Sequence, residues 1–198
     1  MMNGGQKMLL NAVCPDYRYQ ASPTEEYQWQ QKLIAYEVKK LDVAISNTNL
    51  KMAIETLAYH SYPNLKEVLL QKLTSADPNR QIVIATALWT LYRFQKSFPF
   101  IRGIFLQNIP LYSDAVFQAL NSFYDNESAR KFVIDCLEGA DSELLKKALE
   151  TLSLWAHSEL EVLRDSNIVR ELKKGEYGSP EFNSAVEKVK TILSGDIN

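Results

Sequence analysis

Two cysteines, two histidines, seven glycines and seven prolines are scattered over 198 residues, and each scarcity closes off a class of protein. Cys14 and Cys136 lie far apart and no CxxC occurs, so neither a disulfide framework nor a zinc site is written into the chain, and reduced thiols in a cytoplasm are expected. His60 and His157 belong to no HExxH motif, and no Gly-rich phosphate loop or GxSxG elbow accompanies them. His60 falls near the end of an expected helix and reads as a turn histidine; His157 reads the same way, and Cys136 as a packed thiol. The carboxylates are scattered, with no pair spaced for acid–base work. No metal or cofactor is expected.

Long apolar runs are also missing. Nothing approaches the roughly 18–20 apolar residues of a membrane span. The apolar run Met8–Val13, broken by Asn11, is shorter than a secretory signal core, and Val13 stands where a lipoprotein signal would need a small residue before Cys14. The net charge is only −2, so total charge gives no argument for a nucleic acid or a membrane partner. Few Gly and Pro mean few breakers, and a 46% hydrophobic, 23% charged composition is that of an ordinary globular chain, here favouring helix.

What is present is a repeated phrase. The frame apolar-x-x-Ala-apolar-x-x-apolar fits Leu50-Ala53-Ile54-Leu57, Ile84-Ala87-Leu88-Leu91, Val116-Ala119-Leu120-Phe123 and Leu145-Ala148-Leu149-Leu152. Apolar residues at i, i+3, i+4 and i+7 form one stripe of an α-helix, and the central Ala is where a neighbouring helix can approach. A second helical phrase follows the first three times. Leu65, Val68, Leu69, Leu70 and Leu73 map onto Ile101, Ile104, Phe105, Leu106 and Ile109, and onto Ala129, Phe132, Val133, Ile134 and Leu137. A weaker fourth copy carries Ile168, Val169 and Leu172, with Arg164 replacing its first apolar residue. Each unit is therefore two helices, A then B.

The punctuation agrees. Asp77-Pro78 reads as an N-cap with Pro at the first helical position, Asp141 opens the fourth A helix, and Asn64 and Ser97 stand at B-helix starts. Gly139 and Gly175 sit where helices should end. ADPNRQIVIATALWTL (76–91) resembles the first helix of a HEAT repeat, and GADSELLKKALETLSLW (139–155) does too, with armadillo and other helical-pair repeats close by. The resemblance covers roughly residues 47–175. It implies an all-α fold: a right-handed α–α superhelix, or solenoid, of about four helical pairs with helical caps. The expected parts are a tail over 1–21 and one domain over 22–198. That domain comprises a cap helix over 22–46, repeats over 47–76, 77–109, 110–139 and 140–175, and a cap helix over 179–194. Ser22-Pro23-Thr24-Glu25 forms a capping box for the first cap. Tyr17 and Tyr19 are candidates to pin the tail to the body.

Charge is uneven. No acidic residue occurs between Asp77 and Asp114, a window that holds Arg80, Arg93, Lys96 and Arg102 among seven aromatic residues, and the rest of the chain is net −6 (−2 minus +4). Either this is the most buried repeat or it is an aromatic, anion-seeking patch. Lys66, Arg102 and Arg130 share one register, the residue after the first core position of successive B helices. In HEAT arrays the B helices line the concave side, so the resemblance places a basic column there. Its side chains either tie down turn carbonyls or face a partner. In the family an Asp in the preceding turn often supports this position; here those turns read His60-Ser61, Gln95-Lys96 and Asp125-Asn126. Trp89 aligns with Glu55, Asn121 and Glu150, which leaves three outcomes open: covered by the N-terminal tail, exposed as a binding anchor, or buried because the alignment slips.

The function expected from these features is non-catalytic binding, as a scaffold, adaptor or inhibitor of another protein; the resemblance extends this to immunity proteins that block a toxin. The partner is expected to present an acidic surface to Lys66, Arg102, Arg130, Lys131, Trp89, Arg93 and Lys96. The alternative is a nucleic-acid-binding or DNA-repair module of the HEAT-like DNA glycosylase type.

Overall fold

The computed structural model describes residues 23–43, 46–139, 141–158, 160, 163 and 167–194. Among them are ten helices and no strand, so the fold is all-α. The sequence expectations for the tail over 1–21, for Tyr17, Tyr19, Cys14, Ser22 and Arg164 lie outside the described residues. The helices are α1 (Pro23–Val43), α2 (Asn47–Tyr59), α3 (Leu65–Ser75), α4 (Pro78–Tyr92), α5 (Ser97–Gln107), α6 (Ile109–Leu120), α7 (Glu127–Glu138), α8 (Ser142–Ser158), α9 (Ile168–Lys174) and α10 (Pro180–Ser194). No helix among the described residues is long and apolar enough to cross a membrane.

Short capping side chains set most of the helix starts, because the first backbone N–H groups of a helix have no partner within it. Asp77 Oδ1 accepts from Asn79 and Arg80, with Pro78 just inside α4. Asp141 Oδ1 accepts from Glu143 and Leu144, and Ser179 Oγ accepts from the Phe182 N–H ahead of α10. Ser46 and Asn126 do the same for α2 and α7. Ser97 opens α5 as expected, but with no side-chain cap hydrogen bond at that end, and its side chain is buried. Gly139 and Gly175 do end helices, but with negative φ. Space selects glycine at Gly175, where a Cβ would sit 3.2 Å from Phe182 Cβ.

The chain divides into two compact units, residues 1–65 and 66–198. In the first, α1 packs against α2. Leu50, Ala53, Ile54 and Leu57 form the buried stripe of α2, and the Gln30 side-chain amide donates to His60 Nδ1 at 3.3 Å. In the second, α4 packs on α6 and α6 on α8, while α5 packs on α7 and α7 on α10. Each sequential pair α4/α5, α5/α6 and α7/α8 is also in contact, and the short α9 lies against α8 and α10. The core joining α4–α7 is aromatic. Trp89 stacks on Phe123 at 5.6 Å, and Phe98, Phe105, Phe117 and Phe132 continue the cluster with ring separations of 5.2–6.5 Å.

The expected burial of the stripe alanines holds at Ala53 and Ala148 and needs correction at Ala87 and Ala119. Ala53 and Ala148 are fully buried, but Ala87 and Ala119 are only half-buried, and Leu91 is exposed. The buried stripes are Ile84-Ala85-Leu88 with Trp89 in α4, Ser113-Val116-Phe117-Leu120 in α6, and Ala148-Thr151-Leu152-Trp155 in α8. The spacing survives while its phase moves by three residues. Positions three and four apart share a helix face, so a frame slid by three still collects apolar residues. Burial of the larger side chains then decides the phase, since Trp and Phe remove far more apolar area from water than Ala. Ala85→Leu should therefore overpack the core and cost about 1–3 kcal/mol. Ala87→Leu should cost about 1 kcal/mol or less. Urea midpoints in the opposite order would contradict this phase.

Candidate functional site

The cations expected to form a binding column have separate employments. Arg130 donates from Nε to the Tyr124 carbonyl at 2.7 Å and from Nη1 to the Leu193 carbonyl at 2.9 Å. It thus closes the turn before α7 and caps the C-terminal end of α10, where unpaired carbonyls and the helix dipole favour a cation. Arg102 stands 3.5 Å from Asp135 on α7, with both side chains nearly half exposed. Lys66 lies 5.9 Å over the ring of Tyr92. Burial, then the Glu67 carboxylate, raises the Tyr92 hydroxyl above its ordinary value, so the ring partner of Lys66 stays neutral.

Arg93 and Trp89 are brought together. Arg93 ends α4 in the left-handed conformation, φ 51°, an arrangement that sends its N–H back to Trp89 O at 2.8 Å. Its guanidinium lies 5.1 Å over the Trp89 ring and 3.0 Å from Asp125 Oδ2. Trp89 itself is 4% exposed, so it is core and not an exposed anchor. Of the three outcomes the sequence left open, exposure is overturned and the stack on Phe123 agrees with a slipped alignment, while the tail lies outside the described residues. Among the described residues Trp89 Nε1 has no hydrogen-bond acceptor. Lys96 and Lys131 are exposed and form no ion pair among the described residues. The acid-free window is therefore largely answered by carboxylates from the following helix pair, Asp125 and Asp135, which a count within the window does not register.

Burial, then the Asp135 carboxylate, pushes the Cys136 thiol up to about 12, which keeps it a protonated thiol at neutral pH. His60 caps α2 and meets Tyr59 edge-on, and His157 is exposed in the last turn of α8. Among the described residues no group of three His, Cys, Asp or Glu side chains could hold a metal ion.

Two features were not found from the sequence. The first is an apolar corner where α5 gives way to α6: Leu106 is 62% exposed, Ile109 37% and Leu111 61%. The repeat pattern had placed Leu106 and Ile109 on a B-helix core face. That face ends at Gln107, because Asn108 leaves the helix and caps the next one, its side chain accepting from the Leu111 N–H at 3.2 Å. The signal was available: Asn108-Ile109-Pro110 is a cap followed by Pro in the first turn, the same grammar as Asp77-Pro78. The second is a cleft of about 310 Å³ between the end of α7 and the start of α10. Leu137, Phe182 and Val186 supply its apolar side, and Tyr177, Glu138 and Glu187 its polar side. Lys190 Nζ lies 2.7 Å from Glu187 Oε1 and also pairs with Glu138 Oε1, so both carboxylates face one point. These two hydrogen bonds, Glu138 first, hold the Lys190 ammonium charged above its ordinary range. No family model, curated protein or solved structure matches the chain.

Proposed function

We propose that this chain is a non-catalytic protein-binding module, a scaffold, adaptor or inhibitor, built as a short HEAT-like array of helical pairs. The contacts of α4 with α6 and of α6 with α8, and of α5 with α7 and of α7 with α10, follow the neighbour-to-neighbour pattern that such an array requires. One observation carries the binding reading: the exposed corner formed by Leu106, Ile109 and Leu111. Exposed leucines singly need no explanation, but three large aliphatic side chains within six residues make a contiguous apolar spot. Their stretch of chain carries no acidic residue, and Arg102 stands one helical turn before Leu106. Such an apolar spot fits a partner that offers apolar anchors of its own.

The test is capture with the tagged full chain, followed by binding measurements on the purified partner. Leu106→Asp with Leu111→Asp should weaken that partner by about thirtyfold, the scale of a hot-spot loss, with the melting temperature unchanged because both side chains lie in solvent. A partner bound equally by the double variant would remove the corner from the interface. Salt-steep binding of DNA with no protein partner would replace the reading with the nucleic-acid one.

A further inference from the structure

The cleft between α7 and α10 has the chemistry of a cation receptor. Two carboxylates, Glu138 and Glu187, converge on a single ammonium, that of Lys190, and outnumber it. The aromatic wall is fixed in place. Tyr177 donates its hydroxyl hydrogen to the Glu138 carbonyl at 3.0 Å and meets the Phe182 ring at 5.4 Å. The turn behind it is closed at Gly178, φ +79°, whose carbonyl accepts from Asn183 Nδ2 at 3.3 Å. Leu137, Phe182 and Val186 form the floor of the cleft and are themselves almost wholly covered. The volume, about 310 Å³, lies at the small end for ligand clefts and has room for one long side chain.

We propose that this cleft receives a single arginine side chain presented by the partner protein. The flat guanidinium lies against the exposed Tyr177 ring, and its forked N–H groups meet Glu138 and Glu187. A planar, weakly hydrated guanidinium can stack and bridge two carboxylates at once, which a compact ammonium cannot. Lys190 is the internal competitor for the same carboxylates, and it swings to solvent when the arginine enters. The cleft's excess of negative charge turns away acidic ligands. This inference rests on the protein-binding reading, but its test needs no partner.

Titration of the isotope-labelled full chain with N-acetyl-arginine methylamide should shift the backbone amide signals of Leu137, Gly178 and Asn183 saturably, with a dissociation constant on the order of 1–10 mM. The neutral isostere N-acetyl-citrulline methylamide should leave them in place. Glu187→Gln, at an exposed carboxylate, should weaken the response about threefold. Lys190→Met should strengthen it by a similar factor. Lys188→Met, which removes the same charge from the pair Lys188 makes with Glu171 at 3.4 Å, should not. Absence of saturable shifts at these amides overturns the proposal. So does an equal response to citrulline, or an equal gain from Lys188→Met, which would reduce the effect to net charge. If the arginine response fails while Leu106 and Leu111 still govern partner capture, the cleft falls and the protein-binding reading stands.

Discussion

Trp155→Ala should destabilise the second unit by about 3–5 kcal/mol, the range for deleting a large buried aromatic side chain. Trp155 is the largest of the fully buried side chains, on the inner stripe of α8. Its indole N–H donates to the Leu120 carbonyl at 3.0 Å, one of the last carbonyls of α6, which have no partner within their own helix. The substitution thus opens a cavity and removes one of two hydrogen bonds to that oxygen, which keeps the Phe123 N–H at 2.9 Å, a net loss of about 0.5–1.5 kcal/mol in its own right. Against a total stability of about 5–15 kcal/mol this is a large fraction. Trp155→Phe separates the two effects: it keeps most of the volume, removes the donor, and should cost about 0.5–1.5 kcal/mol for the lost hydrogen bond. Urea unfolding followed by circular dichroism checks the order, with the parent most stable, then the Phe variant, then the Ala variant. A Trp155→Ala variant that unfolds at the parent's midpoint would mean that α6 and α8 are not held together here.

That hydrogen bond illustrates what can be read along a chain and what cannot. The caps at Asp77 and Asp141 were legible because capping is decided within three residues. The existence of helices was legible for the same reason, since a stripe at i, i+3, i+4 and i+7 is a local pattern. The phase of each stripe was not, because the pattern tolerates a shift of three residues and the choice falls to neighbouring helices. Trp89 shows the consequence. Aligned on the alanines it shares a column with Glu55, Asn121 and Glu150; aligned on the buried stripes it turns inward and stacks on Phe123.

The basic residues follow the same logic at longer range. Arg93 and Arg102 lie in a stretch without acids, yet each meets an Asp contributed by the next helix pair. Arg130 was open to either role, binding outward or tying down carbonyls. It takes the second, with one of its two acceptors, Leu193 O, supplied by the final helix. The α7–α10 cleft is harder still to foresee. Glu138, Tyr177 and Glu187 belong to three separate segments and acquire a common direction only when α10 lies along α7. The Leu106 corner, by contrast, was within reach, since Asn108 and Pro110 announce the break that turns Leu106 outward.

Phe132→Ala should have the second large effect, again about 3–5 kcal/mol. Phe132 lies on α7 with its ring centroid 5.6 Å from that of Phe98, 5.2 Å from Phe105 and 5.7 Å from Phe117, so one side chain joins α7 to both α5 and α6. The rings meet tilted or edge-on, at angles of 47–84°, the geometry in which the aromatic quadrupoles attract. Each such pair adds about 0.5–1.5 kcal/mol beyond the area it removes from water. Phe132→Leu keeps much of the volume and should cost about 1.5 kcal/mol or less beyond the lost ring pairs. The combined variant Phe132→Ala, Phe105→Ala should cost less than the sum of its parts, because the second deletion removes a partner already lost. Denaturant midpoints of the two single variants and the double variant measure that coupling. Strict additivity would mean that the two rings contribute separately, and that α5 and α7 are joined by some other contact.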